Sequence, residues 1–235
     1  MTHFHQEGIE RPDSPQYLQS LFPGLPKFDM SLKLYGWFAS TPSLVIALIL
    51  REKQIPFEWI EVDLPKGEHK QPNFVANNPF GQVPTIDDDG FVMYESRAIA
   101  RYLDEKYPNQ GTQLFSKDLQ KRALVDQVTW AEQFHFHRYG SPIMFQVLNA
   151  RFFGLETGQN TVEEAKKNLL AKMDIYEGIL SKQKYLAGDK LTLADIVHIP
   201  AVSRLVEEVK LDLGEGRPNV QRWLNEIINE KRGRK

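Results

Sequence analysis

The chain contains no cysteine. That excludes structural disulfides, cysteine-ligated metal sites and any cysteine nucleophile. It also lacks a long apolar run. The longest, Leu44–Leu50, is far too short to cross a bilayer. Charge of one sign is missing too: 29 Lys and Arg against 31 Asp and Glu give a net charge of −2. No basic field argues for nucleic acid or an anionic membrane as a partner. The N-terminus has no apolar core of the kind a secretory signal needs, and Glu7, Glu10 and Asp13 argue against a transit peptide. The expectation is a cytoplasmic protein whose 235 residues make one or two domains.

What is present is most concentrated between Asn77 and Leu103. A loop with Pro79 and Pro84 leads into Thr85–Ile86. Asp87-Asp88-Asp89-Gly90 then joins that run to Phe91–Tyr94, and an Asp-Gly ending between β-prone residues is a hairpin signal. Arg97–Tyr107 reads as a helix with Ile99, Tyr102 and Leu103 on its apolar face and Pro108 just past its end. Ser96 sits at the strand-to-helix junction, where unpartnered amides and the helix dipole can receive a carboxylate. An ordinary Ser cap fits the same spacing. Val83-Pro84 is a candidate cis bond, which would leave the Val83 backbone free to pair with an extended peptide.

Upstream, residues 1–29 read as a proline-punctuated extension. Its His3 and His5 are solvated rather than a metal site. Leu32–Tyr35 alternates as a strand. Thr41-Pro42 opens a helix, with Thr41 expected at the cap, and Phe57–Val62 is a second strand. Pro65–Asn78 is irregular, with about one helical turn. Two strands joined through a helix should be parallel, and the hairpin adds an antiparallel pair. The result is a thioredoxin-like α/β domain over 30–108, followed by a linker over 109–116.

From 117 to 230 the pattern is all helical. Lys117–Ala150 is a long helix or a kinked pair, bent at Pro142. Thr161–Glu164 reads as a capping box, and behind it Leu169, Met173, Tyr176 and Leu180 share one face. Gly188 breaks the chain. Thr192–Asp195 is a second capping box, Pro200 distorts the helix it starts, and Pro218 opens a last helix carrying Val220, Leu224 and Ile227. The basic end, Lys231–Lys235, reads as solvated.

Ser40 falls at the C-terminal edge of the first strand and the positive end of the first helix, where open α/β sheets bind ligands. It has no Gly-x-Ser-x-Gly elbow, so its hydroxyl is a hydrogen-bond donor to an anion, or a cap, rather than a hydrolase nucleophile. His69 and Lys70 could hold a carboxylate, or be solvated. His135 and His137 are two residues apart on a helix and do not share a face, which argues against a metal pair. No metal is expected.

These stretches together resemble the glutathione transferases, and the phi class of plants and fungi most. The resemblance rests on GEHK at 67–70, NPFGQVP at 78–84, ESRAIA at 95–100, YLAGDKLTLADIVHIPA at 185–201 and RPNVQRWL at 217–224. It covers nearly the whole chain from Met30, in family order and spacing. It implies a thioredoxin-like glutathione-binding domain, an all-helical domain and a homodimer, with glutathione as cosubstrate, a role in detoxification, and no nucleic acid or membrane partner.

By position, Ser40 matches the phi-class catalytic serine. His69 and Lys70 match the residues that hold the glycyl carboxylate. Gln82, Val83 and Pro84 match the segment pairing with the cysteinyl backbone, and Glu95 and Ser96 match the pair at the γ-glutamyl end. Trp37, Phe38, Ala39, Phe136 and His137 are the candidates for the electrophile pocket. Thr192 and Asp195 match a structural capping box. The chain departs from the class at Ser43-Leu44-Val45, where many members carry Thr-Arg-Arg, and in its 29-residue leader.

The reaction implied is attack of the glutathione thiolate on a hydrophobic electrophile. Lowering a thiol pKa from about 8.5 to about 6.5 takes about 2.7 kcal/mol. One hydrogen bond to a charged group supplies about 1.5–3 kcal/mol and the helix end about 0.3–1 kcal/mol, so no general base is required. Related classes that reduce dehydroascorbate or remove glutathione from proteins use a cysteine where Ser40 sits, so those activities are excluded. Reduction of organic hydroperoxides stays open, because there glutathione supplies the thiolate. The alternative is a non-catalytic carrier (a ligandin) of hydrophobic or aromatic molecules.

Overall fold

The computed structural model describes residues 32–155 and 158–231. The extension over 1–29, with His3 and His5, lies outside the described residues, as do positions 232–235 of the basic end. Strand β1 (Leu32–Gly36) alternates as its sequence does, with Leu32 and Leu34 fully in the core. It pairs in parallel with β2 (Glu58–Glu61) and antiparallel with β3 (Thr85–Asp88). β3 pairs with β4 (Phe91–Tyr94), giving the order β2-β1-β3-β4. The β3–β4 turn has Asp89 at φ 55° and Gly90 at φ 88°, the two positive angles of a tight hairpin turn. Asp87 Oδ1 accepts from the Gly90 N–H at 2.8 Å.

Helix α1 (Thr41–Glu52) crosses from β1 to β2 and buries Val45 through Leu50 against the sheet and against α3 (Ser96–Lys106). The cap differs from expectation by one residue. Ser40, extended at φ −83° and ψ 113°, is the N-cap, and its Oγ accepts from the Ser43 N–H at 3.3 Å. A cap needs an extended backbone and an acceptor three residues before its donor, which Ser40 supplies and Thr41 does not. Between β2 and β3 lie a 3₁₀ turn (Glu68–Lys70) and the short α2 (Pro72–Val75).

The second unit opens with α4 (Leu119–Ala131). It runs through a π-helical turn at Glu132–His137 into α5 (Arg138–Leu148) and a second π-helical turn at Asn149–Phe153. The interruption therefore comes before Pro142, which sits inside α5. Helix α6 (Gln159–Leu180) starts two residues earlier than the expected box at Thr161, so Thr161 lies within its first turn and its N–H donates to the Gly158 carbonyl. The face of Leu169, Met173, Tyr176 and Leu180 is buried as expected. Short helices α7 (Leu193–Ile196) and α8 (Ile199–Ser203), split just before Pro200, lead to a π-helical turn at Arg204–Glu208 and to α9 (Pro218–Lys231). Glu177 of α6 caps the first amides of α9, accepting from the Asn219 and Val220 N–H groups.

One polar cluster anchors this unit. Asp195, fully buried, completes the capping box with Thr192 and also accepts from the Leu186 N–H and from Trp223 Nε1, each at 3.0 Å. Beside it, buried His198 donates from Nδ1 to the Ala194 carbonyl at 2.8 Å, and its Nε2 accepts from the Tyr176 hydroxyl at 3.0 Å. The two units meet through α1, which packs on α7 and α8. Within the first unit a buried ion pair, Lys53 Nζ to Asp104 Oδ1 at 2.7 Å, joins the end of α1 to the last turn of α3. Asp104 also accepts from the Leu114 and Phe115 N–H groups of the linker.

Asp195→Ala should orphan donors from three separated segments. An expected loss of at least about 3 kcal/mol in unfolding free energy follows, measured by urea denaturation. A loss under 1 kcal/mol would show that those donors find other partners.

Candidate active site

A cavity of about 1120 Å³ lies where the two units meet. Ser40, His69, Lys70, Gln82, Val83, Pro84, Glu95 and Ser96 all line it, although 56 positions separate the first from the last. The fold brings them together because each sits at the edge of the sheet from which α1 and α3 depart. Ser40 caps α1 with its oxygen lone pair, so its hydroxyl hydrogen remains to be donated. Pro42 has no N–H, and Ser40 already satisfies Ser43.

Lys70 is aimed by the loop that precedes β3. Its ammonium donates to the Phe80 carbonyl at 3.1 Å and to that of Gly81 at 2.8 Å, leaving one of three N–H bonds for a ligand. Gly81 is required there. Its φ is +56°, and a Cβ would fall 2.7 Å from the His69 carbonyl oxygen. His69 is less suited to carry charge than its sequence position suggests. Burial, and then the neighbouring Lys70 charge, push its pKa below the ordinary histidine value. The cation of the pair is Lys70.

Val83-Pro84 is cis. Asn78, which sequence reasoning passed over, braces the segment. Its Nδ2 donates to the Gln82 carbonyl at 2.8 Å and its Oδ1 accepts from the Phe80 N–H at 3.1 Å. Glu95 holds an uncommon backbone conformation, φ 71° and ψ 104°, at the cap of α3. Such strain in a non-glycine residue costs about 1–3 kcal/mol and concentrates at functional sites. The Ser96 Oγ accepts from Arg97 Nη1 at 3.2 Å, so its own hydrogen is free to point elsewhere. The substituted triplet at 43–45 is built into the fold: Ser43 and Val45 are buried, and the Ser43 Oγ accepts from the Trp37 N–H.

Of the expected pocket walls, Trp37, Ala39 and His137 line the cavity. Phe38 does not. It is packed edge-on against Trp37 and Phe152. Phe136 does not either. It is fully buried in the core, between Tyr176 and His198, because residues one apart on a helix point to different faces and His137 takes the cavity side. The wall instead uses Trp130, Phe134, Met144, Phe145 and Leu148 from α4, the π-helical turn and α5. Trp130 and Phe134 stack, with ring centroids 6.1 Å apart and planes at 22°. They are one helical turn apart, a signal the sequence did carry.

Behind this wall, Glu132 is fully buried and pairs with Arg97. Burial foremost raises its pKa, against the Arg97 charge. Among the described residues no group of three or more His, Asp or Glu side chains is placed to hold a metal, and no helix is long and apolar enough to cross a membrane.

Residues 30–105 match the family described as Glutathione S-transferase, N-terminal domain, and residues 128–231 match Glutathione S-transferase, C-terminal domain. The chain is 40% identical over 199 residues to glutathione S-transferase F11 of Arabidopsis thaliana, covering 84% of this chain and 93% of that protein. Among solved structures, glutathione transferase F7 of Populus trichocarpa superposes with a TM-score of 0.80 at 36% identity, covering 86% of this chain and all of that one. A glutathione S-transferase I bound with lactoylglutathione superposes at 0.77 and 31% identity, covering 86% and 98%.

Buried His198 and the largely covered His137 set an acid sensitivity. Burial, then Arg97, hold His137 down at about 4, and burial above all holds His198 at about 3. In the unfolded chain both titrate near 6.5. Between those values the unfolded state binds more protons, so stability falls as the pH drops through about 6.5 toward 4. Asp195 acts with the opposite sign. Burial pushes it up to about 6, so the folded state takes up its proton first and offsets part of the loss. The urea midpoint should decline between pH 7 and pH 4.5, and less steeply in His137→Gln. Parallel declines would mean His137 is not held neutral.

Proposed function

The chain belongs to the glutathione S-transferase family, phi class, and from that premise we propose that it conjugates glutathione to hydrophobic electrophiles with Ser40 as the thiolate-stabilising residue. The observation that carries the reading is the position of Ser40. Its hydroxyl caps α1 through oxygen, keeps a hydrogen to give, and opens on the cavity that Lys70, Val83, Glu95 and Ser96 also line.

In this reading Lys70 takes the glycyl carboxylate with its remaining N–H. The Val83 backbone pairs with the cysteinyl residue, and Glu95 and Ser96 receive the γ-glutamyl end. The Ser40 O–H then donates to the sulfur, aided by the dipole of α1, and the thiol proton leaves to solvent. The thiolate pair attacks the electrophilic carbon and a C–S bond forms. A leaving group departs with its bonding electrons, or, in an addition, the displaced π pair is protonated from solvent. Against a non-catalytic carrier stands the complete set of polar contacts around Ser40, which a carrier of apolar molecules would not need.

A homodimer in the cytoplasm completes the reading. Its support is apolar surface on the first unit: Phe80 is 64% exposed and packs edge-on against Tyr94, and Phe91 is half exposed. Phe80→Ser should shift the sedimentation coefficient from dimer to monomer, and a monomeric parent protein would reject this element.

The test of the mechanism is the ultraviolet thiolate absorbance of bound glutathione against pH. The parent protein should show a thiol pKa clearly below that of free glutathione, and Ser40→Ala should raise it most of the way to the free value, the remainder being the α1 dipole. Turnover should drop by about 10- to 150-fold, the worth of one hydrogen bond to a charged group. Glutathione should still bind, and stability should fall by about 1 kcal/mol from the lost cap. Equal turnover in the variant would remove Ser40 from the role.

A further inference from the structure

The π-helical turn at Glu132–His137 places a buried carboxylate directly behind an imidazole of the cavity wall. Glu132 is fully buried and gives one oxygen, Oε2, to Arg97. Its other oxygen, Oε1, is buried and has no hydrogen-bond partner. A buried carboxylate oxygen without a donor is costly, so the donor that can reach it is the one it will hold. That donor is His137 Nδ1, at 3.9 Å. A side-chain shift of about 1 Å closes this to a hydrogen bond.

His137 lines the cavity, with a fifth of its side chain open. Its imidazole is neutral at physiological pH, as described above, and so carries one N–H. With that proton on Nδ1, facing Glu132, the Nε2 lone pair is left as an acceptor. Along the same wall Trp130 and Phe134, each more than half exposed, offer stacked ring faces that, among the described residues, pair with no ring but each other.

We propose that His137, oriented by Glu132, is the specificity residue for the electrophile: its Nε2 accepts a hydrogen bond from an O–H or N–H group carried by an aryl substrate lying along Trp130 and Phe134. The assignment rests on the transferase reading above and adds to it the class of second substrate. Glu132 is a positioning residue. It sets the tautomer, and Arg97 holds it in place from α3.

The experiment uses three matched aryl halides differing at one ring position, which bears hydroxyl, methoxy or methyl. In each the thiolate displaces the halide, which leaves with its bonding pair, so the chemistry is common to all three. Each kcat/KM is divided by the rate of the uncatalysed reaction with glutathione, which removes the electronic effect of the substituent. The parent protein should prefer the hydroxyl compound over the methoxy by about tenfold. His137→Phe should abolish the preference and leave the KM for glutathione unchanged.

Glu132→Gln gives a sharper result. Arg97 needs an oxygen, so the amide NH₂ turns to His137 and donates to Nδ1. The ring proton moves to Nε2, which can donate to either oxygen, so the preference for hydroxyl over methoxy should vanish while both stay ahead of the methyl compound. Conjugation of all three without discrimination in the parent protein, or equal discrimination in His137→Phe, would overturn this assignment and leave the transferase reading intact. No conjugation of any of the three by the parent protein would overturn both.

Discussion

The path of the chain out of the first unit rests on the buried pair of Lys53 and Asp104, both within that unit, and on the linker groups they bind. Lys53 is fully buried at the C-terminal end of α1, and Asp104 lies in the last turn of α3. Two charges taken out of water repay the cost only when every remaining lone pair and proton is used. Here they nearly all are: Asp104 binds the ammonium and two linker amides, and Lys53 also reaches the Thr112 carbonyl at 3.5 Å. The linker is further fixed by the Thr112 N–H on the Glu52 carbonyl at 2.8 Å. Gly111, at φ +58°, passes so close that a Cβ would meet that carbonyl oxygen at 2.2 Å. The chain therefore leaves the sheet unit in one direction only, and α4 and α5 come down beside Ser40 to enclose the cavity.

Local signals were legible in the sequence. The hairpin at Asp89-Gly90, the cap at Thr192 with Asp195 and the buried face of Leu169 through Leu180 all rest on contacts a few residues apart or on a periodic face. The cap of α1 was displaced by one position because Ser40 and Thr41 are both cap-forming residues, and only the backbone angle distinguishes them. The box at Thr161 failed for a related reason: a Ser/Thr-x-x-Glu spacing fits inside a first turn as well as before it.

What the sequence did not reveal depends on distance or on helix geometry. Lys53 and Asp104 stand 51 positions apart, and nothing near Lys53 marks a lysine for complete burial. The π-helical turns leave no period in the side chains. Side-chain chemistry makes Phe136 and His137 alike pocket candidates, but neighbours on a helical turn point to different faces, and Phe136 lies in the core while His137 lines the cavity. The same turn concealed Glu132, whose importance comes only from Arg97 across the boundary.

The cavity has a divided construction: the polar arm comes from the sheet unit, and the aromatic wall, apart from Trp37 and Phe115, comes from α4, α5 and the π-helical turn between them. Such a division separates two kinds of change during descent. Substitutions at Trp130, Phe134, Met144 or Phe145 alter which molecules fit, without touching the groups around Ser40. A lineage built on this plan can broaden or exchange its targets while keeping one nucleophile, much as a tool keeps its handle and changes its bit. Glu132 is the exception. Bound to Arg97 next to Ser96 and facing His137, it is the position where drift in one half is felt by the other, and so the point at which the freedom to diversify ends.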